Sequence, residues 1–293
     1  MNGDRRNELQ EIEEKMNNSE KNKIANLGYA FQTQDYYMQT EKVKEDVKRI
    51  VDFTLDDKTK EMIKSRQKEL QKLAKRETSK LDIGYFQACV SYPGLLVGMS
   101  NPVMSSLKQE SDEEGQDSAF KMGFSFDYVT GLPYIPGSSI KGMLRASIEK
   151  YKTDVCQWLE DNIGILTDDR LFKEMIYEIF GDGNDDVDND KIKNNTDVLE
   201  RDVFLDAIII DGSNDKILKS DYITPHPYMF KNPIPIRILA IKPEVKLEFH
   251  FLLREKIIAK MNREQRFELY KGLILDLGIG AKTNTGYGSL KEV

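Results

Sequence analysis

The sequence predicts an α+β fold with antiparallel strand pairing and a charged helical extension at the N-terminus. Three observations support this prediction. Residues 1–80 are highly charged, and no glycine or proline occurs between Tyr29 and Ile83, which favours long helices. Beyond them, apolar stripes at helical spacing are interleaved with short β-rich stretches. The connections resemble hairpins rather than a regular βαβ alternation, which is typical of α+β domains.

The first half of the chain is predicted to change from helix to strand near residue 80. Apolar residues at helical spacing predict a helix over 58–77. Phe86–Met99 is rich in β-formers, and the Tyr-Pro-Gly triplet within it predicts a bend. Alternating aromatic and small residues predict a strand over Phe120–Val129. Ser138 or Ser139 is then expected to cap a helix that runs to about Tyr151.

The middle of the second half is predicted to be a helix followed by strands. Residues 153–180 carry an apolar helical stripe, and Val203–Ile210 is predicted to be a strand. Ile236–Ile241 and Val245–Leu253 are predicted to form a β-hairpin. His250 alternates with the apolar side chains of the second strand, so it is expected at the surface.

The C-terminal end is predicted to be one helix and one short strand. Asn262 and Gln265 form a pattern typical of a capping box at a helix start. Gly278 is expected to end this helix. A glycine-rich loop and a short strand over Gly288–Val293 follow.

Composition excludes several classes of protein. With 293 residues and 39% apolar residues, the chain has enough apolar matter for a core. Its apolar runs are too short to span a bilayer, and its first residues lack the apolar core of a secretory signal. Two cysteines exclude a disulfide framework and fit a reducing cytoplasm. Two histidines leave little material for a His-ligated metal or a Ser-His-Asp triad. We therefore expect a cytoplasmic protein without a membrane segment or cofactor.

The net charge of −7 hides an uneven distribution. Residues 154–215 carry 18 acidic and 5 basic side chains, whereas residues 216–293 carry 8 acidic and 14 basic ones. An acidic protein does not attract nucleic acid at long range. A local basic surface still binds phosphates, especially when an assembly completes it.

The segment Gly131–Arg145 has the chemistry of an anion site, and its sequence is GLPYIPGSSIKGMLR. A Gly/Pro turn leads into a helix start, where serine hydroxyls and free backbone N–H groups favour an anion. Lys141 and Arg145 are four residues apart and share one helix face. The alternative, equally open from these residues alone, is an ordinary capped helix with solvated cations.

The second informative segment is Gly278–Gly288, GIGAKTNTGYG. Its glycines allow a backbone to approach a ligand closely. It matches neither a P-loop nor a dinucleotide fingerprint, because Ala281 precedes the lysine and Thr283 stands where the third glycine of the fingerprint belongs. The residues expected to contact a ligand are Gly280, the donors Lys282, Thr283 and Asn284, and Tyr287 with its stacking face.

Together the two segments resemble the signature of the RAMP superfamily of CRISPR RNA-binding proteins. Ile135–Arg145 matches the superfamily motif I-P-G-S-S-x-K-G-x-x-R, and the loop matches its C-terminal glycine-rich segment. The form of the loop is most similar to the sixth-subunit family of the type III-B Cmr effector complex. The resemblance runs in order over about residues 86–293 and does not cover the first 80.

The resemblance implies a ferredoxin-like (RRM-like) core over residues 81–293, behind the charged helical extension of residues 1–80. Insertions are expected at about 100–118, 182–200 and 208–235. The last of these corresponds to a thumb-like β-hairpin found in related filament subunits.

The resemblance also implies a function. It implies a non-catalytic subunit that holds guide RNA and paired target RNA near the head end of a ribonucleoprotein in antiviral defence. Other Cmr RAMP subunits are the expected protein partners. The glycine-rich loop is expected to pack close to the helix that Ser138 and Ser139 open, with Lys141 and Arg145 near guide phosphates. Weak, salt-sensitive RNA binding is expected of the isolated chain, because its net charge is negative.

A thumb of this kind inserts beside the guide–target duplex and displaces a base pair. Aromatic and apolar side chains suit such a wedge, because they replace lost base stacking. Packing against a neighbouring subunit is an equally open interpretation of the same cluster. The residues concerned are Tyr222, His226, Tyr228, Met229 and Phe230.

Two other functions remain open. The first is an endoribonuclease of the same superfamily that processes CRISPR precursor RNA, with His226 and Tyr228 as acid and base. The second is a protein–protein adaptor that does not touch RNA. Some related subunits cut target RNA from a loop that corresponds to residues 100–118, but the sixth-subunit family is not expected to cut. The acidic residues that could bind a metal in this loop are Asp112, Glu113, Glu114 and Asp117.

Overall fold

The structure is a computed structural model that describes residues 50–74, 81–97, 124–181, 201–223, 236–255, 257 and 260–293. The predicted insertions at 100–118 and 182–200 lie outside the described residues. So do residues 1–49 of the N-terminal extension and residues 224–235 of the predicted thumb. No helix in the described part of the chain is both long and apolar enough to cross a membrane.

The described residues combine helices with an antiparallel sheet, as predicted. The helices are α1 (Asp57–Ala74), α2 (Gly137–Lys150), α3 (Lys152–Ile163), α4 (Asp169–Phe180) and α5 (Arg263–Leu277). The strands are β1 (Leu81–Val90), β2 (Ser125–Phe126), β3 (Pro133–Ile135), β4 (Val203–Phe204), β5 (Ala207–Asp211), β6 (Leu218–Ile223), β7 (Ile236–Ile241), β8 (Lys246–Arg254) and β9 (Leu290–Glu292).

Seven strands form the main sheet, in the order β2-β3-β5-β8-β1-β9, with β4 also paired to β8. Its centre is the long antiparallel pair of β1 and β8, in register from Leu81↔Arg254 to Cys89↔Lys246. On one face of this pair Phe86 stacks on Phe249, with ring centroids 4.9 Å apart. Phe267 of α5 meets Phe86 edge-on, so α5 covers this face.

Helix α5 has the ends that the sequence predicts. The Asn262 side chain accepts from Gln265 N at 2.8 Å, and Gln265 Oε1 accepts from Asn262 N at 2.9 Å. This reciprocal pair is the predicted capping box. The helix ends at Gly278, whose N–H donates to the carbonyl of Ile274. Both predictions for this helix are confirmed.

Helix α1 covers the opposite face of the sheet and belongs to the core. Its Ile63 and Leu70 are buried. Gln67 reaches the sheet, where its Nε2 donates to Glu248 Oε2 at 3.0 Å, and Gln87 of β1 donates to the same oxygen at 2.8 Å. The helix predicted over 58–77 is therefore present, and residues 50–74 pack into the fold.

The surface position predicted for His250 is wrong, because its side chain is fully buried. Its Nε2 lies 2.8 Å from Oε1 of Glu248, which is also buried. Alternation assigned both residues correctly to the face opposite Phe249, but α1 covers that face as well. Burial alone would raise the pKa of Glu248, but the contacts with His250, Gln87 and Gln67 lower it below its usual range.

The hairpin predicted from Ile236–Ile241 and Val245–Leu253 is also wrong. β7 pairs with β6 in a separate two-stranded sheet, whereas β8 pairs with β1, β4 and β5. The turn between β7 and β8 therefore carries the chain from one sheet to the other. The short turn between the two β-rich segments does not show that they belong to different sheets, because each strand pairs with strands that are distant in sequence.

Three further elements differ from their predicted bounds. The helix predicted over 153–180 is two helices, because Gly164 adopts a left-handed conformation at the end of α3 and Asp168 caps α4. The strand predicted over 203–210 is divided into β4 and β5. Within 124–129, the described part of the strand predicted over 120–129, only β2 is a strand and a turn follows at Asp127.

Candidate nucleic-acid interface

The start of α2 is closed by a side chain from a distant part of the chain. The N–H of Gly137 donates to Asp206 Oδ1 at 2.8 Å, 69 residues away. Neither Ser138 nor Ser139 makes a capping bond among the described residues, so the predicted serine cap is wrong. Both serines lie exposed in the first turn. The carboxylate of Asp206 occupies part of the positive helix end that an external anion would use.

The two cations of the first segment differ in their partners. Arg145 Nε lies 3.0 Å from Glu149 Oε1 on the same helix. Lys141 is half-buried and has no carboxylate partner among the described residues. Burial lowers the pKa of Lys141, and the positive charges of Arg201 and Arg145 lower it further. Arg201 belongs to neither motif, so no pattern in the sequence indicates its place beside them.

The ends of the glycine-rich loop are packed against the protein itself. A side chain on Gly280 would place its Cβ 2.3 Å from the carbonyl oxygen of Leu96, and one on Gly288 would lie 2.0 Å from that of Ile279. Both glycines have a positive φ. The backbone bonds Ala281 N to Leu96 O (2.8 Å) and Ile279 N to Gly288 O (3.0 Å) fix the loop. Gly280 and Gly288 therefore permit approach to the chain's own backbone, rather than the predicted approach to a ligand.

The tip of the same loop faces outward. Lys282, Thr283 and Asn284 are all exposed. Thr283–Thr285 form one 3₁₀ turn, preceded by Lys282 in a left-handed conformation with φ 62°. The three predicted donors thus lie together at the tip of a fixed loop, with room for a ligand.

Tyr287 is not a stacking face in this structure. Its side chain is buried against Leu96, Ile238 and Ala240. Its hydroxyl donates to Asp221 Oδ2 at 2.7 Å, and Lys219 Nζ contacts the same oxygen at 2.6 Å. Burial and this bond raise the pKa of Tyr287 far above its usual range. The ring therefore fastens the loop to β6.

The β6–β7 hairpin brings aromatic residues beside the loop. Tyr222 of β6 is 55% exposed and follows Asp221, which Tyr287 contacts. Tyr92 is 84% exposed in the predicted bend, and Lys219 Nζ lies 5.9 Å from its ring centroid. The Tyr-Pro-Gly triplet predicts only a turn at Tyr92, not an exposed ring. The other predicted wedge residues, His226, Tyr228, Met229 and Phe230, lie outside the described residues.

The two segments leave the main sheet at different strands. α2 follows β3, whereas the loop precedes β9, and in the sheet order β5, β8 and β1 lie between those strands. The backbone contacts of the loop run to Gly94 and Leu96 rather than to α2. No backbone hydrogen bond joins the loop to α2 among the described residues. Among the described residues no group of three His, Cys, Asp or Glu could hold a metal ion.

The family model of the RAMP superfamily matches residues 114–291 of this sequence, which include both segments. The chain belongs to the RAMP superfamily. The resemblance seen in the two motifs is confirmed, and it extends across β2 to β9 of this RAMP protein.

Curated relatives place this RAMP chain near one subunit type. It is 28% identical over 173 residues to the CRISPR system CMR subunit Cmr6 of Saccharolobus solfataricus, a match that covers 57% of this chain and 48% of that protein. It is 29% identical over 220 residues to the Cmr subunit Cmr6 of Pyrococcus furiosus, covering 61% of this chain and 63% of that protein. The chain thus spans about half to under two thirds of these relatives.

A solved structure supports the fold. A chain in the cryo-EM structure of the Type III-B Cmr-beta bound to cognate target RNA superposes with a TM-score of 0.50 at 22% identity. The superposition covers 90% of this RAMP chain and 82% of that one. The mixed helical and antiparallel architecture is therefore shared with a chain of a Cmr assembly.

Proposed function

We propose that this chain is a non-catalytic RNA-binding subunit of a type III-B CRISPR (Cmr) ribonucleoprotein. In that assembly it holds guide RNA and paired target RNA near the head end, beside other Cmr RAMP subunits, in antiviral defence. The Cmr6 names of its relatives support this assignment. So does the target RNA in the Cmr-beta structure whose fold it shares.

The observation that carries the proposal is the outward tip of the glycine-rich loop. Lys282, Thr283 and Asn284 are exposed hydrogen-bond donors. Backbone bonds at Ile279 and Ala281 hold the loop in place, so little conformational entropy is lost when the tip binds. Donors of this kind position a phosphate backbone without reading sequence. Base pairing between guide and target then supplies the specificity.

The fold assignment within the proposal is a ferredoxin-like core with a thumb. We assign the thumb to the antiparallel pair of β6 and β7, so that it begins later than the predicted start at residue 208. β5 (Ala207–Asp211) belongs to the main sheet, since it pairs with β3 and β8. Tyr222 is exposed on this hairpin, in a position suited to replace lost base stacking.

The test is to purify the tagged full chain from its native host, sequence the RNA that accompanies it and identify the bound proteins. We expect short RNAs with a constant 5′ repeat tag and variable spacers, together with several RAMP partners. A variant with Lys282→Gln, Thr283→Ala and Asn284→Ala should keep the protein partners but retain less RNA in a high-salt wash. Lys291→Gln, an exposed charge change on β9, is the matched control. A chain that emerges alone and free of RNA would overturn the proposal.

The absence of catalysis is part of the proposal and has its own test. The purified chain should leave CRISPR repeat RNA intact. Cleavage that His226→Ala abolishes would instead establish the processing endoribonuclease. The chain would be a protein–protein adaptor if two variants both kept the RNA occupancy of the wild type. These are the charge reversal at Lys141 and Arg145 and the triple loop-tip variant.

A further inference from the structure

We propose that Arg201 and Lys141 together bind one RNA phosphate, so that a residue outside both signature segments completes the site at α2. This inference rests on the proposed function and deepens it, because it names the ligand group and the pair of residues that would hold it.

The backbone of Arg201 is fixed by a buried polar network. The next residue, Asp202, is buried, and its carboxylate accepts from Arg266 Nε at 2.7 Å and from Arg254 N at 2.9 Å. The carbonyl of Arg201 itself accepts from Arg254 Nε at 3.2 Å. Because the carbonyl of Arg201 and the side chain of the next residue are both held, the backbone is anchored on the C-terminal side of Arg201.

The guanidinium of Arg201 lies at the C-terminal end of α4. Its Cζ is 5.4 Å from the ring centroid of Tyr177. Its Nη1 is 2.3 Å from the position that a Cβ on Gly181 would occupy. The Nε atom is buried and has no hydrogen-bond partner among the described residues. The ring of Tyr177 supports the guanidinium but cannot accept the hydrogen bond that Nε offers.

Lys141 lies on α2, which packs against both elements next to Arg201: α4, whose C-terminal end the guanidinium contacts, and β4, which follows Arg201 in the chain. Neither Lys141 nor Arg201 has a carboxylate partner among the described residues, whereas Arg145 is paired with Glu149. Burial lowers the pKa of Lys141, and the positive charge of Arg201 lowers it further. Two like charges that are partly removed from water cost free energy unless an anion joins them.

A phosphate is the anion that satisfies this pair. The Arg201 guanidinium offers a planar fork of donors that matches phosphate oxygens, and the Lys141 ammonium adds a second positive charge. The exposed hydroxyls of Ser138 and Ser139 lie less than one helical turn before Lys141. In an RNA-binding subunit the phosphate available is that of the RNA backbone.

The test is fluorescence anisotropy of a labelled single-stranded uridine oligonucleotide with the purified full chain, over a series of NaCl concentrations from low salt upward. Arg201→Gln and Lys141→Gln should each weaken binding about tenfold at low salt. Each should also reduce the slope of log affinity against log salt by up to about 0.7. The double variant should lose little more than either single variant, because one phosphate is shared. Arg170→Gln, an 87% exposed arginine of α4, should match the wild type.

Thermal unfolding without RNA separates binding from a structural role. If repulsion from Lys141 dominates, Arg201→Gln should keep or raise the melting temperature. A lower melting temperature with unchanged RNA affinity would show that Arg201 only packs on Tyr177, and would overturn the inference. Fully additive losses in the double variant would overturn the shared phosphate. Wild-type protein that binds no RNA at the lowest salt, and that emerges RNA-free from the host, would instead overturn the proposed function.

Discussion

The two signature segments differ in how much of their binding capacity the protein uses for itself. At the start of α2 the chain supplies its own anion, since Asp206 accepts from Gly137, and it leaves Lys141 without an acidic partner among the described residues. In the glycine-rich loop the reverse holds. The glycines and Tyr287 are used in internal packing, and the donors at the tip are exposed.

This difference shows that a motif matched as one string contains two kinds of residue. Gly280, Gly288 and Tyr287 build the loop, whereas Lys282, Thr283 and Asn284 are available to a ligand. In α2, Ile140 and Leu144 are buried and anchor the helix, while the two serines remain exposed. Substitutions in the first group should change stability, and RNA affinity only where they displace the loop tip. Those in the second group should change RNA affinity directly.

The largest effect is expected from Gly288→Ala. The glycine has φ 78°, and an added Cβ would lie 2.0 Å from the carbonyl oxygen of Ile279, which is backbone and cannot move aside. Strain of this kind costs about 2 kcal/mol or more, so the free energy of unfolding in urea should fall by at least that amount. RNA affinity should fall with it, because the tip loses its frame.

Gly142→Ala is the matched control within the other segment. Gly142 lies in α2, and a Cβ added there would meet no described atom within 4 Å beyond the adjacent backbone of its own helix. Alanine in a helix interior should stabilise the protein by about 0.5–1 kcal/mol. If Gly288→Ala proved as stable as Gly142→Ala, the loop would not be held by the contacts described.

A smaller effect is expected from Asp206→Ala at the start of α2. Loss of a capping carboxylate costs about 1 kcal/mol, measured as a shift of the urea midpoint. Asp168→Ala, which removes the carboxylate that accepts from Leu171 N at the start of α4, should cost a similar amount and serves as the control. The freed N–H of Gly137 should leave RNA affinity unchanged or tighter. If Asp206→Ala bound RNA more weakly while Asp168→Ala did not, Asp206 would not compete with an external anion for the helix start.

Features that depend on residues near in sequence could be predicted. The capping box of Asn262 and Gln265 spans three residues, so the pattern contains the whole interaction. The end of α5 at Gly278 and the donors at the loop tip are equally local. The α+β class followed from periodicity, which reports the faces of each element without requiring its partners.

Features that depend on distant partners could not be predicted. Asp206 caps a helix 69 residues before it, and Gly280 is required by the carbonyl of Leu96. His250 is buried because α1 covers the second face of the sheet. Arg201 becomes relevant only when β4 brings it beside α2. These contacts form only after the chain has folded, so the spacing of residues within either motif does not indicate them.

Tyr287→Phe should give a modest effect confined to stability. The variant removes the hydroxyl that donates to Asp221 and should cost about 1 kcal/mol at neutral pH. RNA affinity should stay unchanged, because the ring is buried. Tyr222→Ala, at the exposed neighbouring tyrosine, should weaken RNA binding and leave the free energy of unfolding nearly unchanged. If Tyr287→Phe instead weakened RNA binding at unchanged stability, Tyr287 would be a stacking residue as first predicted.

The hydrogen bond between Tyr287 and Asp221 predicts that stability depends on pH. Burial alone would raise the pKa of Asp221, but bonds from Lys219 and Tyr287 lower it below the usual value of 3.8. A lowered carboxyl pKa stabilises the folded state above about pH 4, and this stabilisation is lost as the pH falls through the folded pKa. The difference in stability between wild type and Tyr287→Phe should therefore be full at neutral pH and shrink below pH 4. A difference that stays constant to pH 2 would show that Asp221 is not the acceptor.

The smallest effect on stability should come from Lys282→Gln. This variant tests whether the loop tip contributes to RNA binding without contributing to stability. Lys282 is exposed, and among the described residues its carbonyl, but not its ammonium, takes part in the hydrogen bonds of the loop. Its substitution should change the free energy of unfolding by less than about 0.5 kcal/mol, yet reduce the salt slope of RNA binding by about 0.7. Arg145→Gln should reduce the slope less, because Arg145 must first leave Glu149 to meet a phosphate. An Arg145 effect larger than that of Lys282 would reverse the comparison, since the helix would then be the main RNA contact and the loop its support.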